Sequence, residues 1–588
     1  MLISLAAWAI LGCSATSDVQ WRESGGDLAG TGYSHASQIN TSNVQKLSEA
    51  WVYHTGEQTE NSPSQCTPIV VDGTMYLVTA RHRVVALNPL TGKPQWIFDS
   101  KTDPTRSGHT RSSRGLAFAQ FGNATQTQSR LLYGTPDGRI LSIDCATGDL
   151  DPRFKTVDLR RELGSAGYVG VSAAPTVFEE LVFVGIASDE GKGAAPGNIM
   201  AFSTKTGERK WTFDVLSKQQ IDRGVGAAGA WNGYVVDEKT GVLFAATGSA
   251  APDFDGRDRL GDGLYANCVL ALNARTGKKL WHFQTVHHDL WDHDNASRPV
   301  LCKLKRFGKL VDVVAVLTKT GFCFVLDRKT GKPVFGVKEV PAPPSSIIGE
   351  VAAKTQPEPH MPPALAPTLF DESQVTNISV QSKDSVLKLI RGLDFGQKYL
   401  PPTERGTIVV PGYWGGSPWS GGSFDPRTNT LFVNTNNLPG IMSNPANYRM
   451  LVDHEGYPGS KPPWGMLTAI DLNTGKFRWQ KPLGEYKELT KRGVPKTGTP
   501  NLGGSLVTAG NLLFVGATTD QVFRAFDSRT GKQLLERHLP ASAFAAPMTY
   551  EIRGRQYVLI AAGGGGFAKQ FGFDRGPVSD AFVCFALP

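Results

Sequence analysis

The chain has 588 residues with 61 basic and 53 acidic side chains, a formal net charge of +8. Its 40% hydrophobic content excludes wholesale disorder, and its 65 glycines and 37 prolines with only 19% charged residues exclude a coiled coil. Glycine at this frequency without a collagen period is typical of a turn-rich all-β protein, and the scattered basic residues predict no nucleic-acid partner.

The first thirteen residues, MLISLAAWAILGC, are apolar. This run has about the length of a signal-peptide core and is too short for a convincing membrane span. Cys13 stands where a lipoprotein carries its acceptor cysteine, so lipidation and simple cleavage stay as alternatives. We expect a leader over residues 1–20 and a periplasmic or exported protein, attached to the membrane if Cys13 is lipidated.

One hairpin pattern recurs seven times along the chain. An apolar pair is followed by Asp or Asn, two or three further residues, Thr-Gly, often Lys, and then an aromatic or apolar residue. The glycines of the seven copies lie at positions 92, 148, 207, 277, 331, 475 and 531. The pattern predicts a strand, a turn in which Asp or Asn accepts backbone hydrogen bonds and Gly takes a positive φ, and a second strand whose Trp packs against a neighbour.

The spacing of these glycines is mostly between 54 and 70 residues, with one step of 144. A step of two units predicts a degenerate copy near residues 421–433, which makes eight units. A period of this length with four short strands is typical of a β-propeller, here an eight-bladed one over residues 21–588. A solenoid is the alternative, although solenoid periods are shorter.

Three further segments carry predictions about the fold. AFVCFALP (581–588) is expected to pair with N-terminal chain and close the ring, which removes the free sheet edges. The Pro-rich stretch 340–404 is expected to be a long inserted loop over one face. The seven cysteines form no Cys-x-x-Cys-His haem motif, and Cys323 and Cys584 lie in apolar runs that predict buried, inert thiols.

The segment WHFQTVHHDLWDHD (281–294) concentrates four His and three Asp residues. Both residue types bind metals, but the spacing matches no zinc pattern. One alternative is a polar loop whose histidines satisfy backbone groups. The other is a carboxylate base in the central channel of the propeller, oriented by its neighbours.

QTVHHDLWD (284–292), the TGK-x-x-W repeats, TPNLGGSLVTAGNLLFVGAT (499–518) and PMTYEIRGRQYVLIAAGGGG (547–566) resemble the quinoprotein dehydrogenases that use pyrroloquinoline quinone (PQQ). The resemblance is strongest to the membrane glucose dehydrogenase branch, without its membrane anchor domain, and covers nearly the whole chain. It implies an eight-bladed propeller that holds PQQ and a divalent cation, Ca²⁺ or Mg²⁺, on its axis.

By motif, the resemblance implies that Asp292 is the catalytic base and a cation ligand, and that Lys319 is the cationic residue at the quinone oxygens. The base would take the proton of a substrate hydroxyl while hydride passes to the quinone. The further cofactor contacts that the resemblance implies are Gln65, His109 or Thr110, Arg114, Ser172, Trp231, Asn434 and Asp520. Arg114 would pair with a PQQ carboxylate, and the ring of Trp231 would lie flat under the cofactor.

Several positions depart from the family pattern. The cation-binding acid falls on either Asp189 or Glu190, and Ala251 replaces a second ligand side chain. Gln65 makes one cofactor contact neutral, and Gly565 replaces a histidine of the glucose branch, which weakens the case for glucose itself.

The sequence therefore predicts an exported PQQ-dependent dehydrogenase that oxidises a sugar, a polyol or another alcohol. Since the chain has no haem motif, we expect an external electron acceptor, a quinone or a cytochrome c. The alternative is a non-catalytic scaffold lipoprotein built from the same repeats.

Overall fold

Antiparallel sheets dominate the computed structural model, which describes residues 18–58, 60, 64–107, 112–123, 126–444 and 447–588. Cys13, His109 and Thr110, to which predictions were attached, lie outside these residues. The strands of the first third of the chain are β1 (Tyr33–Ser34), β2 (Ser48–His54), β3 (Ile69–Val71), β4 (Thr74–Val78), β5 (Arg83–Leu87), β6 (Pro94–Asp99), β7 (Ala117–Asn123), β8 (Gln126–Gly134), β9 (Arg139–Asp144), β10 (Val157–Asp158), β11 (Val169–Val171), β12 (Thr176–Phe178), β13 (Leu181–Phe183) and β14 (Ile186–Ser188).

The remaining strands lie between residues 199 and 586. Those before residue 360 are β15 (Ile199–Ser203), β16 (Arg209–Phe213), β17 (Gly226–Ala227), β18 (Tyr234–Asp237), β19 (Val242–Ala246), β20 (Ala250–Ala251), β21 (Cys268–Asn273), β22 (Lys279–Gln284), β23 (Val300–Arg306), β24 (Lys309–Leu317), β25 (Cys323–Asp327), β26 (Val337–Pro341) and β27 (Thr355–Pro359). Those after it are β28 (Thr407–Val409), β29 (Ser423–Asp425), β30 (Thr430–Asn436), β31 (Gly440–Ser443), β32 (Asn447–Met450), β33 (Gly465–Asp471), β34 (Lys476–Pro482), β35 (Ser505–Thr508), β36 (Leu512–Val515), β37 (Val522–Asp527), β38 (Gln533–His538), β39 (Met548–Ile552), β40 (Arg555–Ala562) and β41 (Ala581–Ala586).

Helices are short and lie between the sheets. The α-helices are α1 (Leu159–Leu163), α2 (Lys218–Asp222), α3 (Val380–Ile390), α4 (Lys487–Lys491) and α5 (Gly566–Gln570), and the 3₁₀ turns are Val44–Lys46, Pro104–Arg106 and Glu372–Gln374. Among the described residues, none of these helices has the length and hydropathy needed to cross a membrane.

Consecutive strands pair into antiparallel meanders that succeed one another along the chain. The larger sheets have the orders β3-β4-β5-β6, β10-β9-β8-β7, β12-β13-β15-β16, β18-β19-β21-β22, β23-β24-β25, β29-β30-β33-β34, β1-β35-β36-β37-β38 and β2-β41-β40-β39. The first strands β12, β18, β23 and β29 contact one another in succession, while the fourth strands, such as β6 and β34, alternate exposed and half-buried residues. This arrangement is a β-propeller, as predicted, with its first strands around the axis; that the number of blades is eight stays a prediction.

Apolar side chains fill the spaces between neighbouring sheets. Phe244 on β19 and Phe324 on β25, for example, belong to one buried cluster and join two successive sheets. Cys323 and Cys584 are buried and free, as predicted, and burial raises the pKa of each thiol to about 12.

The predicted closing strand pairs as expected. β41 lies between β40 and β2, so the last strand of the chain joins an N-terminal strand in one sheet. In this sheet the third and fourth strands come from opposite ends of the chain, and no turn can link them. The sheet that contains β2 and β41 therefore has no Thr-Gly turn, so the turns number one fewer than the larger sheets given above.

The predicted degenerate repeat near residues 421–433 is wrong. This segment forms the hairpin between β29 and β30, the first two strands of a sheet that already carries the Gly475 turn between β33 and β34. The long step arises instead from the insertion between β25 and β29.

The insertion is more ordered than the loop predicted for residues 340–404. It contains β27 and the eleven-residue helix α3, which begins where the Ser379 side chain accepts a hydrogen bond from the Ser382 amide. Val386 and Ile390, four residues apart, are buried in a cluster with Ile408. Because the stretch is rich in proline, it was interpreted as a loop and the helical spacing of Val386 and Ile390 was not recognised.

Candidate functional site

A cavity of about 380 Å³ lies where loops from several sheets converge. Seven of the residues predicted from sequence line it: Gln65, Arg114, Ser172, Glu190, Trp231, Asp292 and Lys319. They come from positions up to 254 residues apart in the chain, between Gln65 and Lys319, and the propeller brings them together.

The segment 287–294 is held by its own polar side chains. The Asp289 carboxylate accepts hydrogen bonds from the Trp291 amide at 3.0 Å and the His293 amide at 2.8 Å, which makes a tight turn. His288 lies between Glu350 Oε1 at 2.6 Å and a backbone carbonyl, and His293 Nε2 donates to the Pro411 carbonyl at 2.9 Å. The histidines therefore brace the loop, and Asp292 and Asp294 are the members of the motif that line the cavity.

Lys319 ties the two cavity carboxylates together. Its Nζ lies 2.7 Å from Asp292 Oδ1 and 2.9 Å from Asp294 Oδ2, and the Ser249 amide donates to Asp294 Oδ1 at 2.6 Å. Burial opposes the charge on Lys319, but both carboxylates outweigh it and raise its pKa. Burial raises the pKa of Asp292 well above its usual range, helped by the negative charges of Asp294, Asp253 and Glu190 and opposed by Lys319.

Two more acidic side chains add negative charge to this end of the cavity. Glu190 lines it, whereas Asp189 accepts a hydrogen bond from the Tyr168 amide at 3.3 Å and is not part of the lining, so the structure separates the two alternatives. Asp253 also lines the cavity at 5% exposure. Sequence analysis missed Asp253, although it follows Ala251 by only two positions.

In the described part of the chain, no three His, Cys, Asp or Glu side chains form a cluster that could hold a metal ion. What the structure shows is an excess of negative charge: Glu190, Asp253, Asp292 and Asp294 share the cavity with Lys319.

The other charged feature of the cavity is Arg114, for which the described residues supply no ion-pair partner. Nε and Nη1 of Arg114 are buried and have no hydrogen-bond partner among the described residues, and burial lowers the pKa of Arg114 to about 10. Its guanidinium carbon lies 5.4 Å from the ring centre of Trp231. Ser172 joins the two residues, since its carbonyl accepts from the Arg114 amide at 2.8 Å and its Oγ donates to the Trp231 carbonyl at 3.1 Å. An unpaired buried guanidinium fits an anionic ligand.

Aromatic side chains form the remaining walls. Trp419 meets Trp231 edge to face at 6.0 Å, and further lining residues are Phe254, Tyr413, Trp414, Tyr448, Phe567 and Phe571. Sequence analysis did not single these out, because aromatic residues are common in propellers and only their convergence marks them. Phe567 and Gln570 belong to α5, which begins at the last glycine of the run 563–566.

Two predicted cofactor contacts lie outside the cavity lining. Asn434 is buried, and its Nδ2 donates to Asn501 Oδ1 at 2.6 Å and the Gly503 carbonyl at 2.9 Å. Asp520 forms an ion pair with Arg524 and accepts from the Glu485 amide at 2.9 Å. Both side chains hold neighbouring segments of the propeller together, which is how their residue types also function in strand and turn positions.

The cavity of this propeller holds a buried guanidinium without a hydrogen-bond partner among the described residues, an indole ring and four carboxyl groups, and the first two suit a flat, anionic organic group. The family model described as "Glucose/ethanol/alcohol dehydrogenase, beta-propeller domain" of the PQQ proteins matches residues 21–448 and 442–558. The chain belongs to this PQQ-dependent dehydrogenase family, which confirms the resemblance seen in the sequence.

Relatives and solved structures agree with this assignment. The chain is 33% identical to quinoprotein glucose dehydrogenase A of Acinetobacter calcoaceticus, over 97% of this chain and 79% of that protein. It is 32% identical to the glycerol dehydrogenase large subunit of Gluconobacter thailandicus, over 97% and 85%. The crystal structure of quinohemoprotein alcohol dehydrogenase from Comamonas testosteroni has a TM-score of 0.74 and 25% identity, covering 98% of this chain and 81% of that one.

The residues present fit PQQ. Arg114 supplies an unpaired buried cation for a carboxylate of the cofactor, and Trp231 supplies an indole ring beside it. Asp292 and Lys319 line the same cavity, where the reacting part of the cofactor and a substrate would meet.

Proposed function

We propose that this protein is a PQQ-dependent dehydrogenase that oxidises a hydroxyl group of a sugar, a polyol or another alcohol. The observation that carries the proposal is the placement, in one cavity, of the unpaired Arg114 guanidinium and of the Asp292–Lys319–Asp294 group. The first suits an anionic cofactor, and the second suits removal of a proton from a substrate hydroxyl.

Asp292 is the base in this proposal. Its raised pKa makes the ionised carboxylate a better proton acceptor than an exposed aspartate, and the turn at Asp289 fixes its position. Lys319 stays protonated and restricts the movement of the Asp292 and Asp294 side chains through its two ion pairs. The Ser249 amide fixes Asp294 further. When bound, PQQ supplies the acceptor for the hydride that leaves the alcohol carbon.

We also propose that a divalent cation, Ca²⁺ or Mg²⁺, binds beside the cofactor. The support is that four carboxyl groups and the ammonium group of Lys319 line the same cavity. Carboxyl oxygens are the ligands that hard divalent cations prefer. Glu190 and Asp292 are the predicted ligands that line the cavity, and Asp253 offers an oxygen donor near Ala251, which has none in its side chain.

The electron acceptor and the cellular location are further proposals. The sequence has no Cys-x-x-Cys-His motif, which favours an external quinone or cytochrome c as acceptor. The apolar run before Cys13 favours a periplasmic or exported protein, attached to the membrane if Cys13 is lipidated.

A titration of the purified, metal-stripped protein with PQQ tests the proposal, with and without Ca²⁺ or Mg²⁺, followed by dye-linked oxidation of a panel of alcohols and aldoses. We expect saturable PQQ binding that the cation strengthens, and turnover of members of the panel. A folded protein that binds no PQQ under either condition contradicts the proposal and favours the scaffold alternative.

Asp292→Asn tests the base directly. We expect kcat to fall by about 10³-fold because the amide cannot accept the proton, while PQQ affinity stays within a few-fold. Asp312→Asn is the matched control, since Asp312 pairs with Lys303 on the surface, and its kcat should equal that of the wild type. Full turnover by Asp292→Asn would rule out this residue as the base.

A further inference from the structure

The hydroxyl of Tyr413 is a polar group of the cavity that no step of the proposed reaction uses. Tyr413 is 7% exposed and lines the cavity, and its Oη is buried without a hydrogen-bond partner among the described residues. Buried tyrosine hydroxyls usually find a partner, because a buried donor without one loses its bonds to water. Because Tyr413 lines the cavity, a ligand bound there is one group that can supply this partner.

The ring of Tyr413 is fixed by aromatic neighbours. It meets Tyr448 edge to face with ring centres 4.6 Å apart and Phe571 at 5.5 Å, and it belongs to the same buried cluster as Trp414. These contacts are apolar, so they hold the ring and leave the hydroxyl unsatisfied. A fixed donor of this kind is already oriented for a ligand.

The loop that carries Tyr413 is anchored to the catalytic group on both sides. The Pro411 carbonyl accepts the 2.9 Å hydrogen bond from His293, the residue after Asp292. The Gly416 amide donates to the Lys319 carbonyl at 2.8 Å. A side chain at Gly415 would come within 2.8 Å of Lys319 Cγ, which shows how closely this loop packs on the lysine. Tyr413 thus lies on a short loop fixed at one end to the neighbour of Asp292 and at the other to Lys319.

Three oxygen-bearing partners could reach this hydroxyl: the cofactor, the reacting hydroxyl of the substrate, or another oxygen of the substrate. The anionic part of the cofactor is expected at Arg114, and the substrate hydroxyl that is oxidised is expected to contact Asp292. A monohydroxyl alcohol has no oxygen left for Tyr413, whereas a polyol or a sugar has one.

We propose that the Tyr413 hydroxyl donates a hydrogen bond to a second hydroxyl of the substrate while the hydroxyl to be oxidised lies against Asp292, so that the site selects polyhydroxylated substrates. Tyr413 is in this role a residue that contacts substrate and determines specificity. The inference rests on the proposed function and narrows its substrate class from alcohols in general to polyols and sugars.

Tyr413→Phe in the PQQ-loaded protein tests the inference with glycerol and propan-1-ol, which share a three-carbon chain. We expect the wild type to prefer glycerol. In the variant, kcat/KM for glycerol should fall about tenfold, mainly through KM, and kcat/KM for propan-1-ol should stay the same. Tyr33→Phe is the matched control: Tyr33 is also buried but lies on β1 outside the cavity lining, and the preference should not change.

A PQQ titration of the same variant separates the remaining outcomes. PQQ affinity equal to that of the wild type supports the inference, while weakened PQQ binding assigns the hydroxyl to the cofactor and overturns it. An unchanged preference in Tyr413→Phe, or a wild type that prefers propan-1-ol, also overturns it while leaving the proposed function in place. A wild type that binds no PQQ and oxidises neither alcohol overturns both, and Tyr413→Leu repeats the comparison if the phenylalanine variant does not accumulate.

Discussion

In the outer turns of the propeller, an indole N–H from one sheet donates to a backbone carbonyl in the turn of the next, whereas two residues of the cavity have buried polar atoms without a partner in the described part of the chain. The five indole bonds are Trp51 to Pro89, Trp96 to Cys145, Trp211 to Ala274, Trp281 to Arg328 and Trp479 to Ser528, each 2.9 or 3.0 Å long. The cavity holds the unsatisfied nitrogens of Arg114 and the hydroxyl of Tyr413. The five indole bonds of the outer turns, the frame of the propeller, need no ligand, whereas ligands of the cavity can supply partners for Arg114 and Tyr413.

The same comparison explains why glycine recurs in the turns. Gly331 has a φ of +72°, and a Cβ at this position would lie 2.5 Å from the ring of Trp281. Glycine therefore supplies both the left-handed conformation and the room for the indole of the preceding sheet. The repeated sequence is a docking contact between neighbouring sheets, as the terminal tryptophans predicted.

The largest expected effect is on PQQ affinity, and it distinguishes Arg114 in the cavity from an arginine that pairs with other residues of the propeller. In Arg114→Met we expect the Kd for PQQ to rise about 100-fold, because a charge-assisted hydrogen bond to the cofactor is lost. The unfolding midpoint without PQQ should fall by no more than the loss of the contact with the Trp231 ring accounts for, since the described residues offer Nε and Nη1 no hydrogen-bond partner. Equilibrium PQQ titration and thermal unfolding measure the two quantities.

Arg328→Met is the matched control for this prediction. Arg328 pairs with Asp237 at 3.0 Å and donates to the Cys302 carbonyl at 2.9 Å, so its loss should lower the free energy of unfolding by about 3 kcal/mol and leave PQQ affinity unchanged. Equal destabilisation by the two variants would contradict the comparison between frame and cavity.

A smaller effect is expected at the docking contacts. Trp281→Phe removes the indole N–H bond to the Arg328 carbonyl and part of the ring, and we expect the free energy of unfolding to fall by about 1–3 kcal/mol. The PQQ affinity should match that of the wild type, as measured by the same titration. Loss of PQQ binding in a folded Trp281→Phe protein would show that frame and cavity are not independent.

The last prediction concerns the half-buried carboxyl of Glu23, which lies outside the cavity lining. Burial raises the pKa of Glu23 to about 8, with Arg298 partly opposing the shift. Below the unfolded value both states hold the proton; between about pH 4.5 and 8 only the folded state does, so stability falls as pH rises through this window. Glu23→Gln should flatten this part of the profile in chemical unfolding measured across the window, whereas Glu49→Gln at an exposed position should not.

The sequence alone was sufficient for the frame and for the charged centre of the site. The propeller follows from local turn signals that recur along the chain, because each strand, turn and tryptophan needs only its near neighbours in sequence. The cavity positions of Asp292, Lys319, Arg114 and Trp231 followed from short motifs of the family, whereas the ion pair between Asp292 and Lys319 was seen only in the structure.

Other features were decided by tertiary structure. In the folded protein Glu190 lines the cavity and Asp189 does not. Asn434 and Asp520, which were predicted cofactor contacts, lie outside the lining. Asp253 and Tyr413, which were not predicted, belong to it. Folding also put the 421–433 hairpin in a sheet that already had its turn. A turn is encoded by residues a few positions apart, but the walls of an axial cavity come from loops of different sheets, and which side chains meet there depends on how the sheets pack around the axis.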